Sequence, residues 1–194
     1  MLELMTILEL AAVILGVLSV YFTTKQNIWC WPTGIAMTIL YVIIFLNVKL
    51  YSDTLENFIY IFMQIYGWYY WVYGNKKKKD SVPVKRLKIM GIIFWSLEII
   101  VVTMLLGYVM ANYTGASLPY WDSLTTVMSL TAQWLMGRKI LENWVLWISV
   151  DVMALFIYSY KGLYMTTGLY AVFLVLATSG LIKWYRSYKT QNGK

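Results

Sequence analysis

The chain of 194 residues contains no histidine, a single cysteine, Cys30, and only 13% charged residues. Without histidine it lacks the commonest general base and the commonest metal ligand, which weakens most enzyme hypotheses. One cysteine excludes a disulfide within the chain, so cysteine usage does not indicate a redox compartment. A soluble domain carries about 25% charged residues, and the low charge therefore argues against a soluble protein.

Apolar residues dominate, at 60% of the chain. Several apolar runs have about 20 residues, the length that a helix needs to cross a hydrocarbon core of about 30 Å. We therefore expect an all-α integral membrane protein whose residues 1–194 form one transmembrane domain. No cleavable signal peptide is evident, so the first run is expected to stay as a helix. We predict seven spans, at residues 4–23, 28–47, 54–73, 88–109, 121–137, 143–160 and 163–184.

The fifth predicted helix is the least apolar. Its sequence DSLTTVMSLTAQWLM is rich in serine and threonine and contains Gln133. Such a helix suits the inside of a bundle, where hydroxyls and amides find hydrogen-bonding partners. We therefore expect it to be buried among the other helices.

The distribution of basic residues predicts the topology. With the loop NKKKKDSVPVKRLK (75–88) in the cytoplasm, only Lys49 and Lys161 of the 16 basic residues face outside. The positive-inside rule favours this arrangement, with the N-terminus outside and the C-terminus in the cytoplasm. The lysine run is then a topology signal beside anionic lipid rather than a nucleic-acid site.

Two parts of the chain resemble each other at an interval of 113 residues. KLYSDTLENFIYIFMQIYGWYYW aligns with GLYMTTGLYAVFLVLATSGLIKW, which pairs Leu50, Tyr51, Gly67 and Trp71 with Leu163, Tyr164, Gly180 and Trp184. The preceding helices match only after a gap of three residues, which pairs Trp31 with Trp147. Chance matching in an aromatic-rich chain is the alternative explanation.

If the similarity is real, the chain consists of two parallel repeats of three helices. An odd connecting helix is then needed to give both repeats the same orientation. We predict repeat one at about 4–73, a linker helix at about 88–109 and repeat two at about 121–184. In transporters built this way, the substrate binds near the midplane between the repeats.

Two helical stripes combine indole rings with polar groups. The first consists of Asn57, Gln64, Trp68 and Trp71, with Tyr60 beside it. The second consists of Trp144, Trp147, Asp151 and Tyr158. Residues at these spacings share one face of a helix. A flat heteroaromatic molecule suits such faces, because rings stack on tryptophan and a cationic ring gains from its quadrupole.

Other readings of these residues stay open. An interfacial aromatic belt accounts for Trp29, Trp31, Trp121 and Trp184, and Gln64 could simply join helices. The carboxylates at membrane depth, Glu9, Glu56, Glu98 and Asp151, are functional candidates by default. Glu9 and Glu98 could instead pair with hydroxyls.

Three segments resemble the PnuC family of bacterial vitamin transporters. They are VYFTTKQNIWCWPTGIAMTILY (20–41), LYSDTLENFIYIFMQIYGWYYW (50–71) and LMGRKILENWVLWISVDVMALFIYSYKGLY (135–164). The resemblance covers essentially the whole chain. It implies seven helices as two repeats joined by a fourth helix, akin to the sugar-transporting SWEET fold. It also implies homotrimers in the bacterial inner membrane.

The resemblance implies import of nicotinamide riboside by facilitated diffusion, with cytoplasmic phosphorylation trapping the vitamin. Relatives carry thiamine or riboflavin, and the sequence leaves the choice open. No enzyme activity, metal or cofactor is implied. Matching positions imply substrate contacts for Gln64, Trp68, Asn143, Trp144, Trp147 and Asp151, and less directly for Asn57 and Tyr60.

Three other functions compete with this one. A proton-coupled symporter would use Asp151 or Glu98 as its proton carrier. A membrane enzyme would need a carboxylate or a tyrosine as its base. A sensor would bind the vitamin without moving it.

Overall fold

The computed structural model describes residues 2–47, 49–74, 82–115, 118–160, 162 and 164–193. In these ranges the chain forms seven α-helices, α1 (Leu2–Thr24), α2 (Cys30–Asn47), α3 (Tyr51–Tyr73), α4 (Ile89–Tyr113), α5 (Pro119–Gly137), α6 (Asn143–Tyr160) and α7 (Tyr164–Asn192). The predicted all-α fold is confirmed. The main difference from the predicted bounds is α7, which continues to Asn192 rather than ending near residue 184.

Five helices, α1, α2, α4, α6 and α7, are long and apolar enough to cross a membrane by themselves. The other two, α3 and α5, carry more polar residues and depend on their neighbours. As predicted, α5 buries much of its length, including Ser129, Thr131 and Gln133. The Thr131 hydroxyl donates to Glu98 Oε2 on α4 at 3.2 Å, so this carboxylate does pair with a hydroxyl.

Six helices form a closed ring. Contacts run from α1 to α2, α3, α5, α6 and α7 in turn, and α7 returns to α1. In the described part of the chain, α4 packs only against α5, outside the ring. The ring is thus built from the two predicted groups of three helices, joined to each other where α3 meets α5 and where α7 meets α1.

Contacts inside the ring recur at the interval of 113 residues seen in the sequence. Gly67 on α3 lies against the indole of Trp31, and Gly180 on α7 lies against the indole of Trp144. At both positions a Cβ atom would overlap the ring, so only glycine lets helix and indole approach this closely. The contacts pair Trp31 with Trp144 directly, and the gap that pairs Trp31 with Trp147 in the sequence alignment is wrong.

Four tryptophans form a buried cluster at one end of the ring. The rings of Trp31 and Trp71 meet edge to face at 5.2 Å, and those of Trp144 and Trp184 do so at 5.5 Å. Trp71 also lies 5.9 Å from Trp184, which joins the two pairs. Trp31 and Trp184 are 1% and 0% exposed. The aromatic-belt interpretation is therefore wrong for these two residues, because each fills a cleft opposite a glycine or another indole.

Each group of three helices also donates one indole hydrogen bond to the other group. Trp71 Nε1 donates to the Met136 carbonyl at 3.3 Å, and Trp184 Nε1 donates to the Thr23 carbonyl at 3.0 Å. Both carbonyls lie in the last turn of a helix, where no intrahelical donor is available. The two bonds are related by the same 113-residue interval. We call this end of the ring, where α1 meets α2 and α5 meets α6, the closed end.

A short extended segment, residues 82–88, lies across the closed end. Lys85 N donates to the Lys139 carbonyl at 2.9 Å, and Leu141 N donates to the Lys85 carbonyl at 2.8 Å. Glu142 accepts from Arg86 Nε at 3.1 Å and from Leu87 N at 3.0 Å. The segment before α4 is therefore tied to the connection between α5 and α6.

The close glycine–indole contact gives a stability prediction. In Gly67→Ala the new Cβ would overlap the Trp31 ring, and overpacking of this kind costs about 1–3 kcal/mol. We expect a lower melting temperature in detergent solution. Gly168→Ala is the matched control, because a Cβ on Gly168 meets nothing within 4 Å. A Gly67→Ala protein that melts with the Gly168→Ala protein would contradict the packing described here.

Candidate functional site

The ring encloses a cavity of about 560 Å³, and all six ring helices line it. This volume is in the range of small-molecule sites, about 300–1,000 Å³. Phe45, Asp53, Tyr158 and Thr166 line it near the helix ends where α2 meets α3 and α6 meets α7. We call this the open end. At the other end, Trp144 and the last turns of α1 and α5 form the floor.

A hydrogen-bonded amide forms one wall. Gln64, only 5% exposed, donates from Nε2 to Thr38 Oγ1 at 2.7 Å. The Thr38 hydroxyl in turn donates to the Gly34 carbonyl at 2.8 Å. Because this hydroxyl has one hydrogen, it can only accept from Gln64, and this fixes the orientation of the amide. A side chain at position 34 would overlap Gln64 Oε1, so Gly34 makes the room for it.

The opposite wall carries different chemistry at the related positions. At the 113-residue interval, Gly34 corresponds to Trp147, Thr38 to Asp151, and Gln64 to Ala177. Trp147, Asp151 and Ala177 all line the cavity. The wall of α2 and α3 therefore offers an amide and a hydroxyl, whereas the wall of α6 and α7 offers an indole and a carboxyl group. A molecule in this cavity meets two distinct sides, which favours one orientation.

The cavity is acidic. Four carboxylic residues line it, Glu9, Asp53, Glu56 and Asp151, and no lysine or arginine of the described residues does. A cleft lined by one sign of charge in a low-dielectric surrounding attracts the opposite sign. The lining therefore favours a cation and disfavours an anion.

A group of aromatic rings reaches towards the open end. Tyr158 and Tyr170 stack at 5.3 Å, and Phe173 meets Tyr170 edge to face at 6.0 Å. All three rings line the cavity. Phe173 is not among the site residues predicted from the sequence. A signal for it existed, because the 113-residue interval pairs Phe173 with Tyr60.

The structure brings most of the predicted site residues together. Those that line the cavity are Asn57, Tyr60, Gln64, Trp144, Trp147 and Asp151. Thr38 and Tyr41, which sequence reasoning missed, lie among them.

Two predicted site residues lie elsewhere. Trp68 is 39% exposed and does not line the cavity. The inward face of α3 runs through Gln64, Gly67 and Trp71, and Trp68 lies at the exposed edge of this face. Asn143 is fully buried but also does not line the cavity. Its Nδ2 donates to the Ile140 carbonyl at 2.6 Å, so it holds the turn that begins α6.

Comparison with protein families gives a match over nearly the whole chain. Residues 6–186 match the family described as nicotinamide mononucleotide transporter. The nicotinamide riboside transporter PnuC of Escherichia coli (strain K12) is 26% identical over an alignment of 212 residues. The alignment covers 96% of this chain and 88% of that protein. The PnuC of Haemophilus influenzae is 28% identical over 184 residues, covering 91% and 78%.

A more distant relative has a different name. The riboflavin/roseoflavin transporter RibM of Streptomyces davaonensis is 22% identical over 176 residues, covering 89% of this chain and 81% of that one. Among solved structures, the crystal structure of the vitamin B3 transporter PnuC superposes with a TM-score of 0.76. It is 24% identical and covers 94% of this chain and 82% of its own. This likeness shows a shared fold.

Proposed function

Because the chain belongs to the nicotinamide mononucleotide transporter family, we propose that it carries nicotinamide riboside across the bacterial inner membrane. The observation that carries this proposal is the acidic, indole-lined cavity on the axis of the helix ring. Nicotinamide riboside has a cationic pyridinium ring, which gains from stacking on an indole and from nearby carboxylates. Relatives similar over nearly the whole chain bear the name of the same vitamin.

The charge of the lining favours the riboside over the mononucleotide in the family description. A 5′-phosphate would bring about two negative charges at neutral pH into a cavity lined by four carboxylic residues and, among the described residues, by no basic one. Phosphate sites in proteins rely on arginine, lysine or helix N-termini. The nucleoside without its phosphate is therefore the better substrate.

Two other vitamins of the family remain candidates. Thiamine is also cationic and aromatic, so the same wall of Trp147 and Asp151 would accept it. Riboflavin is neutral and larger, and it gains nothing from the carboxylates. Riboflavin is the third choice, and it is considered because one relative is named as a riboflavin transporter.

Particular residues take particular roles in this proposal. Trp147 stacks on the pyridinium ring, Asp151 balances its charge, and Gln64 hydrogen-bonds from the opposite wall. Asn57 and Tyr60 bind nearer the open end. Trp144 supports the floor by packing, since it is only 2% exposed. Asn143 and Trp68 act through packing rather than by contact.

The transport step is alternating access. With the topology predicted from the basic residues, the open end faces outside and the closed end faces the cytoplasm. The structure then corresponds to an outward-facing state, and release to the cytoplasm requires the two groups of three helices to rock apart at the tryptophan cluster. We propose uniport without catalysis, by homotrimers, with cytoplasmic phosphorylation of the vitamin keeping the gradient inward.

The binding site is tested by comparing variants of two residues that line the cavity with a variant of one residue outside it. We expect Trp147→Ala and Gln64→Ala to weaken binding of nicotinamide riboside by about 2 kcal/mol, or roughly thirtyfold, because each removes a central contact. Trp68→Ala removes an indole outside the cavity and should leave the affinity unchanged. Titration calorimetry on purified protein measures all three. Equal affinity of Trp147→Ala and wild type, or a loss only in Trp68→Ala, would place the site elsewhere.

Uniport and proton symport give different uptake in proteoliposomes. We expect labelled nicotinamide riboside to equilibrate and not to accumulate, with or without an inward proton gradient, because no second ion is needed. Asp151→Asn should lower affinity without changing the final internal level. Accumulation above the external concentration would instead establish the symporter, if it is lost when the proton gradient is removed and is also lost in Asp151→Asn.

A further inference from the structure

A buried lysine lies at the closed end, outside the cavity. Lys139 follows α5, and its side chain is 1% exposed. Its ammonium lies 4.4 Å above the ring of Trp71 and donates to Gln26 Oε1 at 3.4 Å. Lys139 N donates to the Met136 carbonyl. Met136 lines the cavity floor, and Lys139 thus lies one turn further towards the closed end.

The partner of Lys139 places it on the axis of the ring. Gln26 and Lys139 are separated by 113 residues, and both have positive φ, at 55° and 54°. Gln26 N donates to Thr23, just as Lys139 N donates to Met136. Parallel repeats are related by a rotation about an axis along the membrane normal. Two equivalent positions of the two repeats can touch each other only near this axis. The cavity, lined by all six ring helices, lies on that same axis.

Among the described residues, no carboxylate lies within ion-pair distance of Lys139. The ion pair present in the described part of the chain joins Arg86 and Glu142. Burying an unpaired charge is costly. The backbone turn itself does not require a charge, because the neutral Gln26 adopts it at the related position. Because the chain bears the free-energy cost of burying this charge, we infer that the positive charge of Lys139 has a role of its own.

Other ionisable groups around Lys139 do not neutralise it. Lys25 lies next to Gln26 on the α1–α2 connection, Lys85 binds the Lys139 carbonyl from the 82–88 segment, and Lys183 on α7 donates to Thr24. Arg138 precedes it in the chain. On α2 the thiol of Cys30 faces it, and Glu142 at the start of α6 is held by Arg86. Among the described residues named here, the basic side chains near the closed end outnumber the acidic ones.

We propose that Lys139 is an electrostatic barrier that stops protons and inorganic cations from passing the closed floor. A cavity that attracts a cationic vitamin also attracts protons and metal cations. The charge of its lining therefore cannot distinguish the vitamin from these small cations. The tryptophan cluster blocks a molecule of vitamin size by its volume. A fixed positive charge on the axis adds the barrier that excludes small cations, as charged groups do in other membrane pores.

The barrier depends on the protonation of Lys139. Burial lowers the pKa of Lys139 to about 8, so at pH 7 the side chain is still mostly charged. Its charge is lost as the pH rises through about 8, and the barrier weakens in that direction. An arginine at this position would keep its charge over the whole range, because its usual pKa exceeds about 12.

Proteoliposomes without any vitamin test the barrier. A potassium diffusion potential is imposed, and an internal pH dye reports proton entry, with empty liposomes subtracted. We expect Lys139→Gln, which reproduces its Gln26 counterpart, to raise proton leak at pH 7 above the wild-type rate. Lys139→Arg should leak like wild type. A Lys139→Gln protein that still binds nicotinamide riboside and leaks no more than wild type would overturn the proposal.

A second measurement covers the case in which Lys139→Gln does not fold. The ratio of wild-type leak to Lys139→Arg leak should increase severalfold between pH 7 and pH 9, because lysine loses its charge over this range and arginine does not. The same pH profile in both proteins would overturn the proposal. Because neither measurement of leak uses a vitamin, the barrier can hold even if the proposed substrate is wrong, and it can fail while the substrate is right.

Discussion

The closed end depends on an exchange of hydrogen bonds between the two groups of three helices. Trp71 and Trp184 each donate to a last-turn carbonyl of the other group, at 3.3 and 3.0 Å. A buried indole N–H needs an acceptor, and each of these carbonyls provides one while it also accepts the backbone N–H of Gln26 or Lys139. The glycines opposite Trp31 and Trp144 allow the rings to close this end. The cavity is what remains between the helices beyond this floor.

The near-symmetry of the framework contrasts with the asymmetry of the cavity walls. Residues that set the framework repeat in kind, as glycine with glycine and tryptophan with tryptophan, whereas several on the two cavity walls do not. Gln64 corresponds to Ala177, and Thr38 to Asp151. A symmetric frame suits two bodies that rock about one axis, and unlike walls suit an asymmetric substrate. The Gln26 and Lys139 pair combines both features, with the same backbone turn and a different charge.

Much of the fold could be predicted, because hydrophobic length and the placement of basic residues constrain a membrane helix bundle strongly. The seven helices and the buried α5 follow from those signals. The site was harder. Helical spacing alone placed Trp68 beside Gln64, but the direction of the inward face depends on Gly67 meeting Trp31, a contact between helices. Trp31 and Trp184 looked like belt residues for the same reason, since composition does not reveal which indoles face a glycine.

The central claim is that an acidic, indole-lined cavity on the axis binds a cationic nucleoside. Calorimetric titration of the purified protein with nicotinamide riboside and with its 5′-phosphate tests this most directly, because the two ligands differ by a phosphate group whose charge the lining should reject. The account predicts saturable binding of the riboside at one site per chain and no detectable binding of the phosphate. Equal or tighter binding of the phosphate would contradict it.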